Sequence, residues 1–278
     1  MRHLRTWGVT VGLALLPLLA CGQSTKERYI QLSVGSSLFY LRDQAMSPLR
    51  YRGLNFSAQG GYYKESDRVL QHLETYFYYG EVSPNVYKFD INGIAQHLRG
   101  DLNYTYLRRL HASASTGPES QPSEKRYRWW VGGTWSTLAT YRYHYLYSNN
   151  AYNWDVLTNL NLTAQVDRPL RFLRRDFHLA WRAFVPVVGW AARPYFTSSV
   201  GEGFLGEDKS HLSAALASGK VVSLNRFFRL NSQWSLTYPI AGGNALRLTY
   251  VWDYYTYASQ QPVAVAGHAL LFSTLFRF

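Results

Sequence analysis

Long stretches of this sequence carry an apolar residue at every second position, and this period of two constrains the fold more than any other feature. The clearest stretch is 228–240, whose apolar positions are Phe228, Leu230, Trp234, Leu236, Tyr238 and Ile240. The alternate positions hold Arg229, Asn231, Gln233, Ser235 and Thr237, and only Ser232 interrupts the apolar series. Successive side chains of a β-strand point to opposite faces, so the pattern predicts a strand with one apolar and one polar face.

The same alternation predicts ten strands along the chain. They are 28–42, 50–64, 67–80, 95–110, 126–147, 153–167, 172–186, 224–240, 245–258 and 265–278. Strands of soluble sheets average about 5 or 6 residues, whereas a strand that crosses a bilayer needs about 9 to 11. The stretch 187–223 has room for another hairpin, near 195–200 and 211–217, so twelve strands is the alternative count.

Composition favours a wall that faces lipid. Aromatic residues make up 17% of the chain, with 23 Tyr, and charged residues make up only 17%. No segment after residue 22 has the roughly 18 uninterrupted apolar residues of a helical span. A backbone in lipid must then satisfy its hydrogen bonds in a closed barrel. We therefore expect an all-β, transmembrane, antiparallel up-and-down β-barrel, with a soluble antiparallel barrel or sandwich as the competing interpretation.

The first 22 residues have the layout of a secretory signal. Arg2 and Arg5 precede an apolar run over 9–20, and small residues follow it. We expect residues 1–22 to be removed and 23–278 to form the barrel. Leu18-Leu19-Ala20-Cys21 resembles a bacterial lipobox, which implies acylation of Cys21; the alternative is an ordinary cleavage site between small residues. With one cysteine, no intramolecular disulfide can form.

The last strand ends the chain on an aromatic side chain. Its apolar set includes Phe272, Phe276 and Phe278, at alternate positions. This resembles the C-terminal assembly signal of Gram-negative outer-membrane β-barrels, a likeness of architecture that covers the whole mature chain. The resemblance implies location in the cell outer membrane, assembly by periplasmic chaperones and the barrel assembly machinery, and contact with outer-membrane lipids including lipopolysaccharide. With both termini in the periplasm, 43–49, 81–94, 148–152, 187–223 and 259–264 are expected outside.

The polar faces of the strands carry charges of both signs. Side chains expected to face the lumen are Arg99, Arg142, Arg182, Arg229, Arg247, Glu74, Asp101, Asp155, Asp176 and Asp253. A barrel of about eight to ten strands is mostly filled by its own side chains, so these charges are expected to pair across it. The sequence therefore predicts a non-enzymatic barrel, either a narrow porin-like channel for small solutes or a structural or surface element.

One motif points to an enzyme instead. His211-Leu212-Ser213 followed by Asn225 resembles the His-x-Ser motif of outer-membrane hydrolases that cut phospholipid or lipid A. The resemblance implies Ser213 as nucleophile, His211 as base and Asn225 as the orienting residue. Ala214-Ala215 replaces the usual Asn-Gly after the serine, and the alternation points Asn225 into the lumen. A lipid hydrolase is thus the alternative function.

The remaining partner classes are not indicated. The net charge is +12, but the basic residues are spread singly, so nucleic acid is not an expected partner. No phosphate loop, metal-spaced His/Cys cluster or acidic calcium loop is present, so no cofactor or metal is expected. The sequence leaves the oligomeric state open.

Overall fold

The structure, a computed structural model, describes residues 27–84, 95–110, 127–146, 151–193, 219–258 and 261–278. These residues form eleven strands. In chain order they are β1 Glu27–Asp43, β2 Arg50–Glu65, β3 Val69–Pro84, β4 Ala95–Arg109, β5 Arg128–His144, β6 Tyr152–Phe172, β7 Arg175–Ala192, β8 Lys220–Ser223, β9 Phe227–Pro239, β10 Ala245–Tyr257 and β11 Val263–Arg277. None of the described residues belongs to a helix long and apolar enough to cross a membrane.

Ten of these strands close into one antiparallel barrel. Consecutive strands pair from β1 to β7, β7 pairs with β9, and β11 pairs with β1. The short strand β8 lies outside the ring against the end of β7. Since β7 pairs directly with both β6 and β9, the ring closes without residues 194–218. The prediction of ten strands is confirmed, and the twelve-strand alternative is wrong.

The barrel has two distinct ends. The lower end is where β1 begins and β11 ends, and the upper end is opposite. Three connections at the lower end are tight: 66–68, 173–174 and 240–244. In the last of these, Gly242 and Gly243 have φ of 76° and 79°, a backbone conformation that favours glycine. The connection 111–125, expected to be a long loop at this end, lies outside the described residues.

The hairpin of β6 and β7 is longer than the sequence predicted. Residues 168–171, expected to be a turn, continue β6, and the turn is formed by Leu173 and Arg174 with φ of 49° and 61°. Such a two-residue turn matches the twist of the flanking strands. Asp176 therefore lies beside the turn, 77% exposed and 3.9 Å from Arg171, instead of in the lumen. The alternating pattern assigned Asp176 to the inward face, but this residue lies beyond the rim of the barrel.

The two faces of the wall have opposite character. Large apolar side chains are exposed outward on nine of the ten strands of the ring, for example Leu54 at 70%, Leu160 at 56% and Phe272 at 54%, and those of β4 are half-buried. The inward positions are buried and mostly polar or charged. The alternation read from the sequence is thus the difference between the outside and the inside of the barrel.

Candidate functional site

Four charged side chains meet inside the barrel, and we call them the central cluster: Arg99, Asp101, Arg229 and Asp253. Arg99 Nη2 lies 2.6 Å from Asp101 Oδ2 and also pairs with Asp253. Arg229 Nε lies 2.9 Å from Asp253 Oδ1, and its Nη2 lies 3.0 Å from Asp101 Oδ2. Each cation therefore contacts both anions, which neutralises all four charges inside the wall.

The side chains around the central cluster leave it little contact with water. Phe39, Tyr78 and Tyr255 surround the Arg99 guanidinium at 5.4–5.7 Å from their ring centroids. Both arginines are at most 1% exposed. Cation–π contacts of this kind are strongest where the cation is desolvated. The centre of the lumen is thus packed with alternating charges and rings.

A second set of four charges lies nearer the upper end, and we call it the upper cluster: Asp43, Arg142, Asp155 and Arg193. Arg142 Nη1 lies 2.7 Å from Asp43 Oδ2, and its Nη2 lies 2.7 Å from Asp155 Oδ2. Arg193 pairs with the same two carboxylates. The Tyr255 hydroxyl accepts a hydrogen bond from Arg142 at 3.0 Å. Two layers of paired charge therefore cross the lumen, one above the other.

Sequence reasoning missed two members of the upper cluster. Asp43 was placed just beyond the end of the first strand, although it shares the parity of the inward residues Ser33 and Ser37. Arg193 follows β7, in a stretch that the sequence pattern left unassigned. Extending the predicted first strand by one residue would have assigned Asp43 to the inward face. No comparable pattern in the sequence marks Arg193.

Below the central cluster the lumen opens into a cavity of about 400 Å³, which we call the vestibule. Its floor is the ion pair of Arg182 and Glu74. The Tyr63 hydroxyl donates to Glu74 Oε1 at 2.7 Å, and Arg182 also contacts Gln233 and His72. The vestibule is reached from the lower end and stops at this floor.

The walls of the vestibule are polar and carry both signs of charge. Arg247 donates to Gln31 Oε1 at 3.0 Å and to Thr237 Oγ1 at 2.9 Å. On the other side Asp167 accepts from Trp130 Nε1 at 2.7 Å and from Gln165 Nε2 at 2.8 Å. Because the lining contains as many acidic side chains as arginines, four of each, the vestibule does not present a field of one sign to a solute.

The residues that the sequence singled out for the lumen occupy two kinds of position. Arg99, Asp101, Asp155, Arg182, Arg229 and Asp253 are buried inside the barrel, and Arg247 is half-buried in the vestibule wall. Phe272 and Phe276 point outward on β11, exposed by 54% and 46%. The Phe278 backbone N–H donates to the carbonyl of Arg28 at 3.3 Å, joining the two ends of the described chain.

Of the hydrolase motif, Asn225 lies within the described residues. Asn225 lies in the turn between β8 and β9, where its side chain is exposed and accepts from Ser223 Oγ at 2.8 Å, instead of pointing into the lumen. His211 and Ser213 lie outside the described residues, as does Cys21. Across the described ranges, no group of three or more His, Cys, Asp or Glu is arranged to hold a metal ion.

Comparisons with known proteins give structural likeness only. No family model matches the chain, and no curated protein matches it. The translocator domain of the autotransporter NalP from Neisseria meningitidis is similar with a TM-score of 0.40 at 8% identity, over 96% of this chain and 93% of that one. The P. putida toluene transporter TodX gives 0.27 at 8% identity over 92% and 90%. Ail, the attachment invasion locus protein of Yersinia pestis, gives 0.19 at 9% identity over 90% and 99%.

Proposed function

We propose that this protein is an integral β-barrel of the outer membrane whose lumen is closed by its own side chains, and that it acts as a structural or surface element instead of an open channel. The observation that carries the proposal is the pair of four-charge clusters across the lumen of a wall that is apolar outside.

Membrane insertion is supported by the outward face. Leu32, Val34 and Phe56 are exposed by 60%, 58% and 53%, on neighbouring strands of one continuous surface. A soluble barrel buries its apolar face and exposes its charges, which is the reverse of this arrangement. A monomeric protein in water rarely exposes apolar patches of more than a few hundred Å². Hydrocarbon around the wall removes this conflict.

The closed state is supported by the geometry of the two clusters. A selectivity filter lined by charged side chains presents rings of one sign to the passing ion. Here each layer contains two arginines and two aspartates in mutual contact, so no layer has a net charge. An ion crossing the barrel has to break buried pairs, and leaving one partner uncompensated costs about 3–5 kcal/mol.

Planar-bilayer recording tests both parts of the proposal. We expect the refolded wild-type protein to insert, as shown by protection of its strands from protease, and to give no conductance steps. A variant with the central cluster replaced by serine is expected to stay silent, because the upper cluster still crosses the lumen. Replacing both clusters together with the Arg182–Glu74 pair of the vestibule floor is expected to produce steps, with Glu27→Ser/Arg277→Ser at the rim as the control for loss of an exposed ion pair.

The outcomes separate the possible roles. Ohmic steps in the wild-type protein, or in the variant that lacks only the central cluster, contradict a lumen closed by two layers. A wild-type protein that stays in solution without detergent contradicts membrane insertion itself. The leader over 1–22, acylation of Cys21, the assembly role of Phe278 and catalysis by Ser213 stay predictions from sequence.

A further inference from the structure

Three arginines form a compact patch on the outer surface at the upper end of β1 and β2. Arg42 lies directly opposite Arg50 across the two strands, and Arg52 lies opposite Tyr40 two pairs further down, on the same face. All three side chains are exposed. Cβ atoms of directly opposed residues are about 4.5–5.5 Å apart and diagonal neighbours about 7–8 Å apart. Three positive charges are thus anchored within a few ångströms of one another.

This patch lacks an anion among the described residues. No ion pair joins Arg42, Arg50 or Arg52 to a carboxylate in the described parts of the chain. The nearest acidic side chain on the next strand, Glu81, accepts a hydrogen bond from Tyr145 at 3.2 Å. Like charges directly opposite one another destabilise a sheet. An external anion that neutralises the patch would therefore stabilise the barrel.

The other outward cations of the strands do not form such a patch. Arg108, Arg168 and Arg175 lie on three separate strands at the lower end. Each is committed to one tyrosine hydroxyl, at 3.4, 2.8 and 3.1 Å. Arg28 does lie opposite Lys64, but the carboxylates of Glu27 and Glu65 stand one residue away. Among the described strands, the upper patch alone places three outward cations together with no carboxylate in an ion pair with any of them.

The surroundings of the patch fit a lipid. Below the arginines the surface is apolar, with Leu54 exposed by 70% and the Tyr40 ring exposed by 41%. On the side of β11, Arg42 and Tyr40 lie next to Ala264 and Ala266. These two small side chains leave the guanidiniums open to an incoming group. A ligand held here has an anionic head beside the arginines and an apolar part against the wall.

We propose that Arg42, Arg50 and Arg52 bind a phosphate group on the head of lipopolysaccharide, at the level where the apolar band of the barrel ends. The inference rests on the proposed membrane location and on placing the upper end outside, as the short lower turns suggest. Guanidinium groups bind phosphate through charge-assisted, often bidentate hydrogen bonds. A phosphate monoester supplies oxygens to all three arginines, and the acyl chains cover the wall beneath.

Native mass spectrometry of the refolded chain in neutral detergent measures this binding with bisphosphorylated lipid A as the probe. The triple variant Arg42→Gln/Arg50→Gln/Arg52→Gln is expected to bind about tenfold more weakly or worse. The matched control Arg108→Gln/Arg168→Gln/Arg175→Gln removes the same charge from the opposite end and is expected to bind like the wild type. Equal losses in both variants mean diffuse attraction and overturn the site.

The identity of the ligand is tested with two further probes. Dephosphorylated lipid A is expected to bind the wild-type protein weakly. Its affinity is expected to match that of the triple variant for bisphosphorylated lipid A. Equal binding of both lipids to the wild-type protein overturns phosphate recognition. Inorganic phosphate at millimolar concentration is expected not to displace the lipid. Efficient displacement means a site for free phosphate and overturns the lipid as the ligand. These binding measurements are made in detergent. A protein that fails to insert into bilayers therefore contradicts the proposed function, whereas the binding of lipid A is decided separately by the measurements in detergent.

The direction in which a substitution shifts the unfolding midpoint gives an independent test of the proposed site. Without an anion, Arg42 and Arg50 repel each other, so Arg50→Gln is expected to raise the midpoint of urea unfolding in neutral detergent. With bisphosphorylated lipid A present, the same substitution removes a ligand contact and is expected to lower the midpoint relative to the wild type. A change of the same sign in both conditions overturns the proposal, even where the triple variant folds poorly.

Discussion

The upper and lower halves of the lumen contain the same kinds of charged residue but hold them in different surroundings. In the upper half Arg142, Asp43 and Asp155 have no exposed side-chain surface, and the Tyr255 hydroxyl accepts a hydrogen bond from Arg142. In the lower half Arg182 and Glu74 are paired as closely, yet they form the floor of a cavity of about 400 Å³. The difference is the cavity that borders the lower pair, whose side chains are themselves 9% and 1% exposed.

An ion pair's contribution to a barrel depends on what replaces the lost partner when one of the two side chains is removed. Where water enters, it solvates the remaining charge, and the loss is modest. Where side chains fill the space, the remaining charge stays buried and uncompensated. The upper half is therefore expected to act as the rigid closure of the barrel, and the vestibule as its adaptable part.

Chemical labelling gives the largest expected contrast between the two halves. In a Cys21→Ser background, which removes the only cysteine, Ser235→Cys in the vestibule wall is expected to react with a polar thiol reagent. Ser136→Cys, at the position whose hydroxyl accepts from Arg229 at 2.9 Å, is expected to stay unmodified over the same time. Labelling is followed by mass spectrometry in detergent, where both ends are accessible.

Unfolding in urea provides the control for the labelling experiment, because both cysteines are expected to react at the same rate once the barrel is open. Rapid modification of Ser136→Cys in the folded protein means that water and solutes reach the central cluster. The division of the lumen into a closed and an open half is then wrong.

Removing one carboxylate from each half gives the next largest contrast. Asp155→Ala leaves Arg142 and Arg193 each with one anionic partner fewer, and we expect the free energy of unfolding to fall by about 3–5 kcal/mol. Glu74→Ala is expected to lower it by less, because the vestibule supplies water to Arg182. Both values come from the midpoint and slope of urea unfolding in lipid vesicles, followed by tryptophan fluorescence.

The exposed ion pair of Glu27 and Arg277 at the rim provides a reference for the losses in free energy of unfolding at Asp155 and Glu74. Glu27→Ala removes a pair whose two side chains are 48% exposed, and the expected loss is about 0–1 kcal/mol. Equal losses for Asp155→Ala and Glu74→Ala contradict the difference in water access between the halves.

The sequence predicted the wall of this barrel better than its contents, for a physical reason. The period of two is a local property of each strand, so it placed Arg99, Arg229 and Asp253 on the inner face without any knowledge of their neighbours. Which of them touch depends on register and strand order around the ring. The meeting of Asp43 with Arg193, 150 residues apart in the chain, has no local signature. The prediction that Asp176 faces the lumen was wrong, because the alternation of inward and outward positions does not show where the barrel ends.

The smallest expected contrast comes from removing a single hydroxyl group in each half. Tyr255→Phe deletes the acceptor that Arg142 contacts at 3.0 Å, and hydrogen bonds to charged groups contribute about 1.5–3 kcal/mol. Tyr63→Phe deletes a donor to Glu74, but Gln59 Nε2 lies 3.3 Å from the same oxygen and the vestibule admits water. We therefore expect Tyr255→Phe to lower the free energy of unfolding more than Tyr63→Phe does. Neither substitution changes ring packing, so a larger loss at Tyr63 shows that the floor of the vestibule is dry.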